Sequence, residues 1–506
     1  MTARQNFIYR ILEIIPGATV WATFVLALVG SVFFPIWVLG YILIYDLLWL
    51  FRVLRFVANL FLAWRRFRFA GRTDWLTRVS ARPEFRDITH VVFLPTYKED
   101  IGVVRGTLRS LASMAYPKDR MIVVLAGEER DGDHFLSTAE RLQREFVGTF
   151  RSLLVTLHPQ NLPDEIPGKG SNLNWAGHEV RAHIDQLGIP YEKVIVSAFD
   201  IDTVAHTQYF AYLTETYLTT PNPTRASYQP IALYNNNIWE AAAPVRVAAF
   251  GTTFWLMNEL VRQDRLLTFS SHSMSFRALV DVGYWQKDIV SEDSRISLQC
   301  IVHYKGDYRI VPLYLPVSMD MVSGETYGQS LAALYRQIRR WAWGVEHFPW
   351  LVWNMGRDRA MPLRVKAKYI FNALEGSYSW ATAPILMFAL GRLPFYLAAE
   401  GGVRGLAFFQ NAPFTIEQIM LVTNVGVLVS AAMSLALLPP RPAHVPGHRW
   451  LTMIFQWLLL PVTFVAFGSI PAVDAITRLM TGKKLGFNVT AKRRAAVVPA
   501  PVPEVA

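Results

Sequence analysis

The apolar positions of this chain fall into three regimes. From Pro16 to Leu50 they run almost unbroken, with Asp46 the one charged residue. At about 20 residues per crossing, that is length for two membrane spans. The break between Ser31 and Pro35 predicts spans over 16–34 and 36–57. The stretch is too long for a signal peptide and lacks a small-residue cleavage site. The run Trp64-Arg65-Arg66-Phe67-Arg68-Phe69 follows, and such aromatic and basic residues mark a cytoplasmic interface. Arg4 and Arg10 place the other end of this hairpin on the same side.

From about Asp87 to Asp320 the apolar runs shorten to 88–94, 121–125, 153–157, 194–199 and 309–314, with helical spacing over 103–114 and 138–147. That alternation predicts an α/β domain on an open, mostly parallel, Rossmann-like sheet. A helix is predicted over 329–347, where Tyr335, Trp341 and Trp343 mix with Arg336, Arg339 and Arg340, as on a helix lying in a membrane interface. Oily segments recur over 369–398, 416–438 and 451–470. The basic loop 441–449 and the tail cations Lys483, Lys484, Lys492, Arg493 and Arg494 both read as cytoplasmic. Three simple crossings do not satisfy that parity, so one segment is expected to be interfacial, re-entrant or a hairpin. The organisation read from these patterns is a transmembrane hairpin (1–64), a cytoplasmic α/β domain (65–328), an interface region (329–368), C-terminal transmembrane segments (369–480) and a cytoplasmic tail (481–506) with a disordered end.

Composition supports the membrane reading. Of 506 residues, 52% are hydrophobic and only 18% charged, too oily for an ordinary soluble enzyme. The net charge of +11 sits beside oily segments rather than along one soluble face, which argues for membrane flanks and against nucleic acid. A single cysteine, Cys300, excludes an intramolecular disulfide and any multi-cysteine metal site.

Candidate chemistry gathers where strands should end. Val194 to Asp202 reads Val-Ile-Val-Ser-Ala-Phe-Asp-Ile-Asp; in a continued strand Asp200 and Asp202 would share a face. Paired carboxylates at the carboxyl edge of a parallel sheet suit a hard divalent cation that also holds substrate phosphates. Thr96-Tyr97-Lys98-Glu99 follows the first strand, with an aromatic beside an acid for a flat ring and a diol, or simply a strand-to-helix connection. Gly168-Lys169-Gly170-Ser171-Asn172 offers a lysine among glycines, a point charge for a phosphate or a plain surface loop. Ser291-Glu292-Asp293 precedes a predicted helix, so a carboxylate there is either a cap or a general base. Gln337, Arg340 and Trp341, at i, i+3 and i+4, share one helix face.

In that order, Thr-Tyr-x-Glu, Lys-Gly-x-Asn, Asp-x-Asp, x-Glu-Asp and Gln-x-x-Arg-Trp between membrane spans resemble the processive family 2 glycosyltransferases, known from cellulose, hyaluronan and chitin synthases. Phe487-Asn488-Val489-Thr490-Ala491-Lys492 is similar to the Phe-x-Val-Thr-x-Lys gating loop of bacterial cellulose synthases. The resemblance runs from about Val91 to Lys492. It implies a GT-A-type nucleotide-diphospho-sugar transferase domain flanked by transmembrane helices. It also implies inverting transfer of a hexosyl unit, from a UDP-sugar by preference, to a growing β-linked polysaccharide with coupled translocation. By position, Thr96, Tyr97 and Glu99 would meet the nucleoside and Lys169 the phosphates. Asp200 and Asp202 would hold the donor and its Mg2+ or Mn2+, and Asp293 would be the base. Gln337, Arg340 and Trp341 would bind diphosphate and acceptor, with Glu292, Phe487, Val489, Thr490 and Lys492 on the acceptor and gating side. Two departures stand out: Gly127-Glu128-Glu129 replaces the usual aspartate after the second strand, and Phe269-Ser270-Ser271-His272-Ser273 matches the acceptor loop only loosely. The chain carries no visible cyclic-dinucleotide module, so a second membrane subunit is one way to complete a conduit. The rival readings are a single-transfer enzyme acting on a lipid carrier or glycolipid, and a non-catalytic transporter or scaffold.

Overall fold

The computed structural model describes residues 2–398 and 404–486. Two long helices open the chain. Ala3–Phe33 is started by a capping box between Thr2 and Gln5, which satisfies two otherwise unpaired backbone donors. Pro35 begins Pro35–Arg72, because proline fits a first helical turn but cannot continue the preceding helix. The hairpin therefore breaks where the sequence predicts. The second helix does not stop at 57 but runs on through the arginine-rich segment as one rod.

The middle of the chain forms one eight-stranded sheet, with strands β1 (Thr89–Pro95), β2 (Met121–Glu128), β3 (Ser152–His158), β4 (Val194–Ala198), β5 (Val204–Ala205), β6 (Ala226–Tyr234), β7 (His272–Ser275) and β8 (Arg309–Met319). Their order is β3-β2-β1-β4-β7-β6-β8-β5. β1 runs parallel to β2 and β4, β2 to β3, and β6 to β8. β7 is antiparallel to β4 and β6, and β5 to β8. The sheet is thus mixed rather than nearly all parallel. β5, β6 and β7 lie outside the predicted strands. β6 and β7 are buried throughout yet built partly of serine, glutamine, tyrosine and histidine, so no apolar run announces them. Buried polar pairs hold this part of the sheet, as between Ser197 Oγ and Ser273 Oγ at 2.7 Å.

The register aligns the strand ends. Phe93 of β1 lies opposite Ala198 of β4, Pro95 opposite Ala126 of β2, and Tyr234 of β6 opposite Met319 of β8. These carboxyl ends open on one side of the sheet, where open α/β sheets present their ligand crevice. Helix Lys169–Gln186 packs across β1, β2 and β3 with its N-terminus at that edge.

Among the described residues, four helices are long and apolar enough to cross a membrane: Ala3–Phe33, Pro35–Arg72, Ala407–Ala436 and Arg449–Thr481. A fifth, Leu363–Phe388, bends by 47° into Leu390–Leu397. Tyr327–Ala342 is amphipathic and is pinned to Ile470–Met480 by Arg339 and Asp474 at 2.9 Å.

Candidate active site

One pocket at the carboxyl edge of the sheet is lined by Thr96, Tyr97, Glu99, Lys169, Asp200, Glu292, Asp293, Gln337, Arg340 and Trp341. Residues spread over more than 240 positions converge there. Asp202 does not line it. β4 stops at Ala198 and the chain turns, so the two aspartates do not share a strand face as an uninterrupted strand would require. Asp202 is fully buried, and its Oδ2 accepts the backbone N–H of Asp320 at 2.8 Å. Phe487, Val489, Thr490 and Lys492 lie outside the described residues.

The pocket has a charged middle. Lys169, the first residue of its helix rather than part of a flexible loop, reaches Asp200 Oδ1 at 2.8 Å and Glu292 Oε1 at 3.8 Å. Burial opposes its charge, but Asp200, Glu292 and Asp293 outweigh burial and hold the ammonium more firmly protonated than usual. Burial pushes the Glu292 carboxyl up to about 7, a rise that Lys169 moderates. Gly170 lets this helix approach the Glu292 turn. A Cβ there would stand 2.9 Å from the Gln286 carbonyl oxygen and 3.1 Å from Glu292 Cβ. Gly170→Ala should destabilise the protein by about 1–3 kcal/mol, the usual cost of overpacking, and weaken nucleotide binding through Lys169. Thermal unfolding in detergent with a nucleoside diphosphate titration measures both.

Ser270 ties the acids together. Its hydroxyl donates to Asp200 Oδ2 at 2.6 Å and its backbone N–H to Asp293 Oδ2 at 2.8 Å. Ser270 does this with φ of +51°, a conformation that non-glycine residues adopt only where their surroundings over-determine it. The other Asp293 oxygen accepts the Ser294 N–H at 2.8 Å, so the carboxylate is held from both sides in the first turn of helix Glu292–His303. Nearby, burial pushes the Tyr234 hydroxyl well up, and the charges of Asp200 and Asp202 add to the effect.

The two ends of the pocket differ in character. At one, Trp341 meets Phe269 edge-on at 5.6 Å and Tyr234 at 5.9 Å, leaving an aromatic wall beside Gln337 and Arg340. At the other, Tyr97 carries the Arg130 guanidinium 4.4 Å from its ring centre. Arg130 also bonds to Glu128, at 2.9 Å from Nε, and Glu128 stands where the family pattern has an aspartate. Thr96 is buried, and its hydroxyl donates to the Leu94 carbonyl at 3.1 Å. Glu99 accepts the Tyr97 N–H.

Sequence reasoning did not single out Tyr234, Met319 or Asp320 as pocket residues, and it met Ser270 only inside the loose acceptor-loop match. Tyr234, Met319 and Asp320 follow from the strand-end rule once β6 and the full length of β8 are known.

Among the described residues, no group of three or more His, Cys, Asp or Glu side chains could hold a metal ion alone. The donor set nonetheless fits a hard cation that takes one or two carboxylates and completes its shell from substrate phosphates and water. Asp200 supplies the carboxylate in the pocket, and the ammonium 2.8 Å away shows that its oxygen accepts a cation.

A family model described as glycosyl transferase family group 2 matches residues 195–470. Among solved structures, the mannosyltransferase PcManGT from Pyrobaculum calidifontis, in complex with GDP-Man and Mn2+, aligns over 88% of this chain and 100% of its own. The identity is 16% and the TM-score 0.45. S. aureus TarS 1-349 in complex with UDP-GlcNAc aligns over 74% and 91%, at 13% identity and TM-score 0.37. Glucosyl-3-phosphoglycerate synthase from Mycobacterium tuberculosis, in complex with Mn2+, UDP and phosphoglyceric acid, aligns over 56% and 84%, at 15% identity and TM-score 0.30. A comparison with curated proteins finds no match.

Proposed function

Since the chain belongs to glycosyl transferase family group 2, matched over more than half its length, we propose that this nucleotide-sugar transferase, with its GT-A-type domain, is an inverting hexosyltransferase of the membrane that extends a β-linked polysaccharide and passes it outward. The carrying observation is that Asp293, fixed by the Ser270 and Ser294 N–H groups, lies in one pocket with the Lys169–Asp200 pair and the Trp341 wall. Donor and acceptor would occupy its two ends with the base between them.

Asp293 takes the proton from an acceptor hydroxyl as that oxygen attacks the anomeric carbon of the donor in line. The bond from that carbon to the diphosphate oxygen breaks as the new glycosidic bond forms. The electron pair leaves with the nucleoside diphosphate, and the configuration inverts without a covalent enzyme intermediate. Lys169 and Arg340 offer fixed positive charge to the departing phosphates, stabilisation that needs no reorganisation during the step. Asp200 would hold the Mg2+ or Mn2+ of the donor complex, whose bound cation would supply further charge neutralisation on the diphosphate. Tyr97 and Glu99 would meet the nucleoside.

Outward passage is supported by polar groups lining the apolar helices. Tyr378 is 2.9 Å from the Thr23 hydroxyl and 3.4 Å from that of Tyr41. Arg52 and Arg265 both pair with Glu375, at 2.6 and 2.7 Å, where the helices meet the α/β domain. Polar groups such as the Tyr378 hydroxyl within spanning helices are expensive and mark substrate paths. The catalytic domain would then face the cytoplasm, below the hairpin and the C-terminal spans.

The test is a donor screen on the full chain in lipid nanodiscs with Mg2+ or Mn2+, following nucleoside diphosphate release and sizing the product. A long, glycosidase-sensitive polymer is expected. A short or lipid-extractable product would assign the enzyme to single transfer onto a lipid carrier. Neither turnover nor nucleotide binding with any donor would leave a non-catalytic membrane protein. Trp341→Ala should raise the acceptor KM by about ten- to a hundredfold, since burying one aromatic face contributes about 1.5–3 kcal/mol, with donor KM unchanged. Unaltered acceptor kinetics would leave Trp341 an interface anchor only.

A further inference from the structure

The turn that carries Asp293 is bonded at both ends to two consecutive residues of another element. Ser291 stands at the N-cap of helix Glu292–His303 but makes no side-chain cap there, the usual task of a serine at that position. Its hydroxyl donates instead to Glu346 Oε1 at 2.8 Å. At the other end of the turn, Ser294 Oγ lies 2.8 Å from His347 Nε2 and donates to the Ser291 carbonyl at 3.3 Å. Glu346 and His347 follow closely on the helix that bears Gln337, Arg340 and Trp341. Tyr327–Ala342 passes into the turn Trp343–Glu346 and then into helix His347–Arg357. The aromatic wall of the pocket and the support of the Asp293 turn are therefore parts of one continuous piece of chain.

The proton on His347 is placed by its neighbour. Arg295, 2% exposed, donates to His347 Nδ1 from Nε at 3.2 Å and from Nη2 at 3.1 Å. A guanidinium only donates, so Nδ1 is the nitrogen without hydrogen. Burial and this guanidinium push the His347 pKa well below its ordinary value, and the neutral ring then carries its proton on Nε2. That N–H donates to Ser294 Oγ. Arg295 is itself fixed, because Nη1 donates to Gln286 Oε1 at 2.8 Å and the guanidinium lies 4.4 Å from the centre of the Trp350 ring. Donation thus runs in one direction, from Arg295 to His347, to Ser294 and to the Ser291 carbonyl.

We propose, on the reading of Asp293 as the general base, that His347 is a positioning residue for Asp293 and acts through Ser294. The hydrogen bond to the Ser294 hydroxyl fixes the first turn of the helix, and the Ser294 N–H fixes Asp293 Oδ1 at 2.8 Å. A base has to lie within hydrogen-bond reach of the proton it takes, and an error of about 1 Å in such a placement costs about a hundredfold in rate. Because His347 lies on the same piece of chain as Trp341, its bond keeps the base in step with the aromatic wall rather than with the Lys169–Asp200 pair. Loss of the bond should therefore slow transfer at unchanged nucleotide affinity.

The experiment measures turnover by the full chain in nanodiscs with UDP-, GDP- and ADP-hexoses, taking the donor that wild type uses, and titrates the matching nucleoside diphosphate. Ser294→Ala keeps the N–H on Asp293 and should lower turnover about tenfold, with the dissociation constant within about twofold. His347→Phe should lower turnover about ten- to a hundredfold, and His347→Gln, whose amide N–H can serve Ser294, should recover part of it. Ser294→Ala also leaves Arg295 its acceptor, so it decides the matter where His347→Phe fails to fold. Once Asp293→Asn has removed the base, adding Ser294→Ala should cost no more than about twofold, because a residue that acts through Asp293 has nothing left to position. Wild-type turnover in Ser294→Ala, or full additivity in the double variant, would overturn the positioning role and leave the base reading intact. Nucleotide affinity lost in step with turnover would reduce His347 to a packing residue. A wild type that turns over none of the donors, or Asp293→Asn with wild-type turnover, would overturn the base reading and the positioning role with it.

Discussion

Asp293→Asn should lower turnover by about a thousandfold while the dissociation constant for nucleoside diphosphate stays within about twofold. The asymmetry follows from where the carboxylate is anchored. Its two oxygens accept backbone N–H groups of Ser270 and Ser294, so its position is set by the loop and the first turn of a helix rather than by the Lys169–Asp200 pair. Asparagine keeps one acceptor for one of those N–H groups and loses the basicity. Lys169 retains its two nearest acids, Asp200 and Glu292, so the donor end keeps its charge. Single-turnover transfer and isothermal titration separate the two quantities. If nucleotide affinity collapsed together with turnover, Asp293 would belong to the donor site and the base would have to be sought elsewhere. Glu292→Gln is the companion variant. Glu292 packs against Gly170 and lies within reach of Lys169, so its loss should change donor affinity more than the proton-transfer step.

The contrast between these neighbours shows what the chain makes legible before its fold is known. Local spacing carries most of it. Gln337, Arg340 and Trp341 reach the pocket together because a helix repeats every 3.6 residues, and Pro35 breaks the hairpin for a reason visible in its ring. Strands built of β-branched residues, such as β1 and β4, announce themselves. β6 and β7 do not, because their burial is secured by hydroxyl and amide pairs that only the assembled sheet provides. Asp200 and Asp202 show the limit of a periodic argument. It assumes that the strand continues, whereas the backbone turns after Ala198 and sends Asp202 to the Asp320 N–H. Ser270 is the extreme case. Its contribution comes from a positive φ and from contacts to Asp200 and Asp293, 70 and 23 positions away, and no short pattern encodes that.

Lys169→Met should be the most damaging single change at the donor end, with turnover down about a hundred- to a thousandfold and a clear loss of stability. The ammonium faces Asp200 at 2.8 Å and Glu292 at 3.8 Å, with its side chain 11% exposed. Removing one partner from such a buried cluster costs about 3–5 kcal/mol, because the remaining charges stay uncompensated. The cost should also depend on pH. Burial already lifts Glu292 to about 7, and Lys169 is what restrains that rise, so without the ammonium the carboxyl is pushed higher. A carboxyl whose folded pKa exceeds its unfolded value of about 4.3 binds its proton more tightly when folded. Stability then falls as pH rises from the unfolded value to the folded one. In the wild type that fall ends near 7. In Lys169→Met it continues beyond 7, so the deficit should widen between pH 7 and 9. Lys169 itself contributes no slope there, since its pKa is raised further above an already high ordinary value. Chemical denaturation of both proteins in detergent across that range measures the difference, with Lys169→Arg expected to recover most of the stability and less of the turnover. Parallel pH profiles would mean that Glu292 is not restrained by Lys169, and the charged middle of the pocket would need another account.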